Sequence, residues 1–208
     1  SLVVESFGEA HGTNVLADFP KGFPAGYRER FAAHSAVVDM QHLLSLNEAK
    51  PLVMSFYQPL SGDKAQLHCK LYHADTPLAL SDVLPILENL GLRVLGEFPY
   101  RLRHTNGREF WIHDFAFTAA EGLDLDIQQL NDTLQDAFVH IVRGDAENDA
   151  FNRLVLTAGL PWRDVALLRA YARYLKQIRL GFDLGYIAST LNNHTDIARE
   201  LTRLFKTR

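Results

Sequence analysis

The stretch SDVLPILENLGLRVLGEFPY, residues 81–100, changes its hydrophobic period at a single glycine. Val83, Leu84, Leu87 and Leu90 recur at the spacing of one helix face, and Leu92, Val94, Phe98, Tyr100 and Leu102 then recur at the spacing of one strand face. Arg93, Glu97 and Arg101 take the opposite side of that strand. Gly91 stands where a left-handed residue can end the helix, Ser81 is the expected N-cap, and Pro85 is read as falling early enough to cost little. A helix that turns into a strand with no loop between them must lay that strand in a sheet beside it. Asn106-Gly107 follows as a hairpin signal, with EFWIHDFAF as the return strand.

Two further strands precede this unit. LVMSFYQ alternates Leu52, Met54 and Phe56 against Val53, Ser55 and Tyr57, and QLHCKLYH alternates Leu67, Cys69 and Leu71 against His68, Lys70 and Tyr72. The polar run PLSGDKA joins them as a hairpin. A helix from Asp126, with Ile127, Leu130, Leu134, Phe138 and Ile141 as its stripe, closes the block. The order β-β-α-β-β-α contains the βαββα part of a ferredoxin-like sandwich. That sandwich ends in a strand lying antiparallel beside the first, and a hairpin partner placed before the first strand can occupy the same slot. Strand 51–58 is therefore expected to complete a four-stranded antiparallel sheet, with helices 81–90 and 126–142 on one face.

The expected fold class is α+β: a ferredoxin-like antiparallel sheet with two helices, between an N-terminal helical segment and a C-terminal helical bundle. The expected domains are 1–50, 51–144 and 145–208. In the first, a helix around Val4 to Phe19 is followed by breaks at Pro20, Gly22 and Pro24. A helix then carries Val37, Met40, Leu43 and Leu44, with Ser35 as its N-cap. In the last, Phe151, Leu154, Val155 and Ala158 lead to a cap at Gly159, and Pro161-Trp162 restarts a helix with Val165, Leu168, Ala172 and Leu175. LGYIASTL and TDIARELTRLF add two more helices, the second capped by Thr195. Charge supports a boundary near Gly144. Residues 1–144 hold 11 Lys/Arg and 18 Asp/Glu (11 − 18 = −7), and residues 145–208 hold 10 and 7 (10 − 7 = +3), which returns the net −4 of the 208-residue chain.

Motifs for chemistry are sparse. No G-x-G-x-x-G, G-x-x-x-x-G-K-[ST] or G-x-S-x-G run is present, so neither a dinucleotide, a triphosphate nor an activated serine is expected here. His68 and His73 fall on opposite faces of their strand, His113 and Asp114 do the same, and His34 and His42 lack a third ligand, so the nine histidines predict no metal site. Cys69, the sole cysteine, reads as a buried structural thiol between Leu67 and Leu71. Trp111, His113, Phe115 and Phe117 form an aromatic stripe that reads as core in so acidic a block, although open sheets use such stripes to stack bases. Arg163, Arg169, Arg173, Lys176, Arg179, Arg199, Arg203 and Lys206 give the last block a basic look that would suit nucleic acid, but a net +3 with interspersed acids favours a solvated or subunit-facing surface. No run of 18 apolar residues suggests a membrane span. The chain opens at Ser1 without Met and closes beside an amphipathic helix, which raises the expectation of a segment from a longer polypeptide.

Several long runs resemble one family. LSDVLPILENLGLRVLGEFPY with GREFWIHDFAF resembles the ACT-like region of the very large bacterial NAD-specific glutamate dehydrogenases. AENDAFNRLVLTAGLPWRDVALLRAYARYLKQIRLGF resembles their helical segment before the catalytic part, and FPAGYRERFAAHSAVVDMQHLLSL resembles the region upstream of both. The resemblance implies a cytoplasmic homo-oligomer that converts L-glutamate to 2-oxoglutarate and ammonia with NAD. It places the catalytic lysine and the NAD site downstream, so no catalytic residue, cofactor or metal is assigned to this segment. The implied partners are the catalytic region of the same polypeptide, other subunits and a small amino-acid effector, with neither nucleic acid nor membrane. ACT-type modules hold effectors near the first strand-to-helix loop, here HADTPLALSD, although the leading strand of this chain departs from the ordinary ACT order. Ser81, Asp82, Asn89 and Gly91 are the candidate effector-binding or interface residues.

Overall fold

In the computed structural model, which describes residues 17–58, 66–76, 78–119 and 127–207, the elements follow the expected order. Helices α1 (Ala25–Arg30) and α2 (Ala33–Leu44) precede strands β1 (Leu52–Tyr57) and β2 (Gln66–Ala74). Helix α3 (Leu80–Asn89), the hairpin β3 (Leu92–Arg103) and β4 (Glu109–Ala119), and helix α4 (Ile127–Val142) come next. A 3-10 turn at Ala150–Arg153 then leads to α5 (Leu154–Thr157), α6 (Trp162–Gln177), α7 (Leu184–Asn193) and α8 (Thr195–Lys206). The expected helix start near Val4, the loop PLSGDKA and Asp126 lie outside the described residues, as do the side chains of Ile127 and Leu130.

The four strands form one antiparallel sheet in the order β1-β2-β4-β3. This places β1 in the slot that a final strand fills in a ferredoxin-like sandwich, as the hairpin argument required. β3 is an edge strand, which accommodates Pro99, since an edge residue can lack a ladder donor. The β3–β4 turn is built as the Asn-Gly signal predicts. Gly107 has φ +88°, its N–H donates to the His104 carbonyl, and Asn106 Oδ1 accepts from the Arg108 N–H at 2.9 Å.

The described residues divide into two compact units, one drawn from residues 17–56, 68–76, 78 and 96–116, the other from residues 57–58, 66–67, 79–95, 117–119 and 127–207. In the first unit, Phe19, Tyr27, Met40 and Leu43 pack with Val53, Tyr72, Tyr100, Leu102, Phe110 and Ile112. Alternation places Tyr72 on the same face of β2 as His68 and Lys70, so the polar-looking side of that strand is a covered side, and all three residues are buried. Phe98, expected in the core stripe, is exposed on the edge strand with the Arg30 guanidinium 3.8 Å from its ring centroid. In the second unit, α3 packs on α4, and the helices after Gly144 pack around Phe151, Leu154, Val155, Leu168 and Ala172.

Three expected caps are absent. α2, α3 and α8 begin after Ala32, Ala79 and His194, without side-chain capping, so Ser35, Ser81 and Thr195 lie inside their helices. Each helix starts one to three residues earlier than its hydroxyl residue suggested, and the Ser81 hydroxyl donates to Asp82 Oδ1 at 3.3 Å instead. The caps that form use Asp149 toward Phe151 N and Asp183 toward Tyr186 N. Pro85 is the sixth residue of α3, past the first turn, where it removes the donor that would reach the Ser81 carbonyl.

Gly91 ends α3 as expected. Its φ is +93°, and its N–H donates to the Glu88 carbonyl at 2.9 Å. A Cβ added there would stand 3.2 Å from Arg153 Cγ and 3.4 Å from Leu156 Cδ2. Gly91→Ala is expected to cost about 1–2 kcal/mol, mostly from the left-handed backbone because the arginine stem can yield. A lowered urea midpoint with an unchanged slope would show it.

Candidate functional site

The four residues singled out from the sequence occupy two ends of α3. Ser81 and Asp82 lie exposed in its first turn. Asn89 is its last residue and donates to Asn148 Oδ1 at 2.9 Å, and Gly91 follows beneath Arg153 and Leu156. At about 1.5 Å of rise per residue the two pairs stand roughly 11 Å apart along the axis, so they form two places rather than one site. The Asn89–Gly91 end is already engaged by the 148–156 segment, whereas the Ser81–Asp82 end is open.

A polar cluster inside the first unit was not read from the sequence. Asp39 of α2 accepts from Lys70 Nζ at 2.5 Å, from Tyr72 Oη at 2.8 Å, and from Tyr27 Oη. All four residues are buried, and Asp39 is only 2% exposed. The Lys70 ammonium also lies 3.7 Å from the centroid of the Phe31 ring. Burial lowers the Lys70 pKa and the Asp39 carboxylate opposes that shift, while burial and Asp39 together push the Tyr72 hydroxyl well above its ordinary value. Wrapped in this way, the amine has no path to a substrate. The cluster instead pins α1 and α2 onto β2.

Beside it, Asp114 of β4 lies 3.4 Å from Arg30 Nη2 and 3.5 Å from His68 Nδ1. The opposite face of the sheet carries His73 and His113, whose Nε2 atoms are 3.0 Å apart, and His113 Nδ1 lies 2.7 Å from Glu97 Oε1. The sequence showed that His113 and Asp114 part to opposite faces but not that β2 and β4 set His73 opposite His113. One ring must donate and the other accept across this contact. Burial first, and then the His113 ring, lower the His73 pKa to about 4 from the usual 6.5. An unfolded chain protonates His73 near pH 6.5, but the folded chain resists until near pH 4. The His73 contribution to stability is therefore full above pH 6.5 and is lost as pH falls toward 4. The urea midpoint is expected to decline across this window, and less steeply in His73→Phe. Equal slopes in the two proteins would contradict the assignment.

In the second unit the basic residues are largely paired. Arg169, 4% exposed, donates through Nε and Nη2 to both oxygens of Asp149 at 2.7 and 2.8 Å, and through Nη2 to Asn152 Oδ1 at 2.6 Å. Arg173 pairs with Glu147, and Lys206 Nζ stands 2.6 Å from Asp164 Oδ2. Arg199 and Arg203 pair with Asp196 and Glu200 on their own helix. Among the described residues no group of three or more His, Cys, Asp or Glu side chains is arranged to hold a metal ion. Cys69 is fully buried and burial raises its thiol pKa, as fits an inert core residue. Phe115 and Phe117 of the aromatic stripe are likewise buried. No helix among the described residues is long and apolar enough to cross a membrane.

Comparison with known proteins accounts for most of the chain in three consecutive matches. Residues 2–46 match the helical motif 2 of glutamate dehydrogenase, residues 51–130 its ACT3 domain, and residues 146–208 its helical motif 3. The chain is 88% identical over 208 residues to an NAD-specific glutamate dehydrogenase of Pseudomonas aeruginosa, covering 100% of the chain and 13% of that protein. It is 46% identical over 205 residues to the protein of the same name from Halomonas elongata, covering 99% and 13%, and 36% identical over 206 residues to that from Mycobacterium tuberculosis, covering 97% and 12%. The chain thus spans about an eighth of the length of the curated relatives it matches.

Proposed function

Because this chain belongs to the glutamate dehydrogenase family, as an ACT3 domain between helical motifs 2 and 3, we propose that it is a non-catalytic regulatory and structural segment of an NAD-specific enzyme. The complete enzyme would convert L-glutamate, NAD and water to 2-oxoglutarate, ammonia and NADH, with the reaction and the NAD site in a catalytic region outside these residues. The observation that carries this reading is 88% identity along the whole chain to 13% of a named NAD-specific enzyme. The functional divisions are 1–50, 51–144 and 145–208, a partition supported by the ranges of the three family matches. The enzyme is read as a cytoplasmic homo-oligomer in which this segment organises neighbouring regions and subunits.

The test is the isolated chain, shown to be folded by circular dichroism, with L-glutamate and NAD. No absorbance from NADH is expected, and NADH formation would refute a non-catalytic role.

A second reading, an amino-acid effector module, is favoured by the ACT3 match and by the open Ser81–Asp82 turn. The Asn89–Gly91 turn, joined to Asn148, is then an internal contact through which an effect could pass to the helices. A saturable thermal shift with one amino acid would support this reading, because only differential binding to the folded state raises the transition. Flat titrations across the twenty amino acids would sink it.

A further inference from the structure

Helix α8 turns its large side chains outward. Its buried residues are Ala198 and Thr202, whereas Ile197, Leu201, Leu204 and Phe205 are 45% to 60% exposed. An amphipathic surface helix normally does the reverse, laying its large apolar side chains on the core. The four exposed residues follow i, i+4, i+7 and i+8, the stripe by which one helix seats another. Beside them α6 and α8 enclose an apolar groove of about 370 Å³ lined by Leu167, Ala170, Tyr171, Tyr174 and Phe205. No charged residue lines the groove, and the nearby charges of Lys206, Arg203 and Arg199 are engaged by Asp164, Glu200 and Asp196. Half-exposed aromatic and leucine side chains of this number offer on the order of 500 Å² of apolar surface, the upper end for a patch that a free monomer leaves uncovered.

We propose that the α6–α8 face seats an apolar helix from the part of the same dehydrogenase polypeptide that lies outside these 208 residues. Relatives 88% and 46% identical carry this chain as 13% of their length, so most of such a protein is available to supply the occupant. A segment tethered on the same chain meets the groove at an effective concentration that does not depend on dilution, whereas a second copy meets it only at the concentration of the protein itself. The uncharged groove and the helical spacing of its rim select an apolar helix rather than an extended or charged peptide. The proposal rests on the reading of the chain as one segment of a longer dehydrogenase.

The test uses the full-length dehydrogenase that contains this chain, with p-benzoylphenylalanine replacing Tyr174 or, separately, Leu204. After irradiation, denaturing gels separate links within a chain from links between chains, and mass spectrometry identifies the joined peptides. The expected result is a monomer-mass product joined to a peptide outside the 208 residues, with loss of that product when Leu201→Asp is added. The added aspartate replaces an exposed side chain, so it does not disturb the fold of the segment itself. A product at twice the monomer mass, joining α6 or α8 to another copy, would overturn the proposal, as would the absence of any crosslinked product after irradiation. Glutamate oxidation is assayed on the same samples. Intrachain links in a protein that makes no NADH would leave the seat in place and remove only the dehydrogenase reading.

Discussion

Asp39→Ala is expected to destabilise the chain by about 3–5 kcal/mol, the range for removing one partner of a buried ion pair. The substitution leaves the Lys70 ammonium without its 2.5 Å carboxylate and withdraws the acceptor used by the Tyr27 and Tyr72 hydroxyls. These residues come from α1, α2 and β2, so the loss falls on the seam that joins helices to sheet. Asp39→Asn should cost less, since its carbonyl still accepts while the charge is lost. The more discriminating variant is the double change Asp39→Ala with Lys70→Met. Removing both charges avoids a stranded ammonium, so the double variant should be more stable than Asp39→Ala alone. Urea unfolding of the wild type, Asp39→Ala, Lys70→Met and the double variant completes the cycle, and simple additivity would mean that the pair is not coupled.

Arg169→Ala should cost about 2–3 kcal/mol in the second unit. Its guanidinium bridges both Asp149 oxygens and Asn152, and Asp149 in turn caps the 3-10 turn through Phe151 N. Asp149 is 34% exposed on its side chain and can rehydrate, which keeps the expected cost below that at Asp39. Asn152 is 3% exposed and has no such relief. Arg169→Lys should recover only part of the loss, because an ammonium cannot present the two parallel N–H donors that meet a carboxylate side-on. Native-state hydrogen exchange should show the loss as faster exchange across 147–157; unchanged protection there would place the role of Arg169 elsewhere.

The sheet was legible because its signals are local. The switch of period at Gly91, the Asn106-Gly107 turn and the two leading strands established the element order, and the ferredoxin-like pairing rule then yielded β1-β2-β4-β3. The buried polar groups were not legible, since they join residues far apart in sequence. Asp39 and Lys70 are separated by 31 positions, and His73 and His113 by 40. Alternation along β2 identifies which residues share a face but not whether that face is covered, so the burial of Lys70 and His68 could not be read from the strand alone. The same ambiguity hid the outward stripe of α8, where periodicity finds the apolar face without saying which side of the helix is occupied. Helix starts failed for a smaller reason. Ser35, Ser81 and Thr195 are good capping residues, but the backbone turns helical before it reaches them.

The position of β1 has a consequence for vectorial synthesis. In a sandwich whose closing strand comes last, the sheet waits on the ribosome for its own end. Here the strand in that slot is made first, so all four strands of the described sheet have been synthesised by Ala119. The side of β2 that an incomplete sheet would leave unpaired is thus closed by β1, already outside the exit tunnel, and the outer edges are then β1 and β3. The helices from Ile127 onward can vary in length or neighbours without delaying that closure.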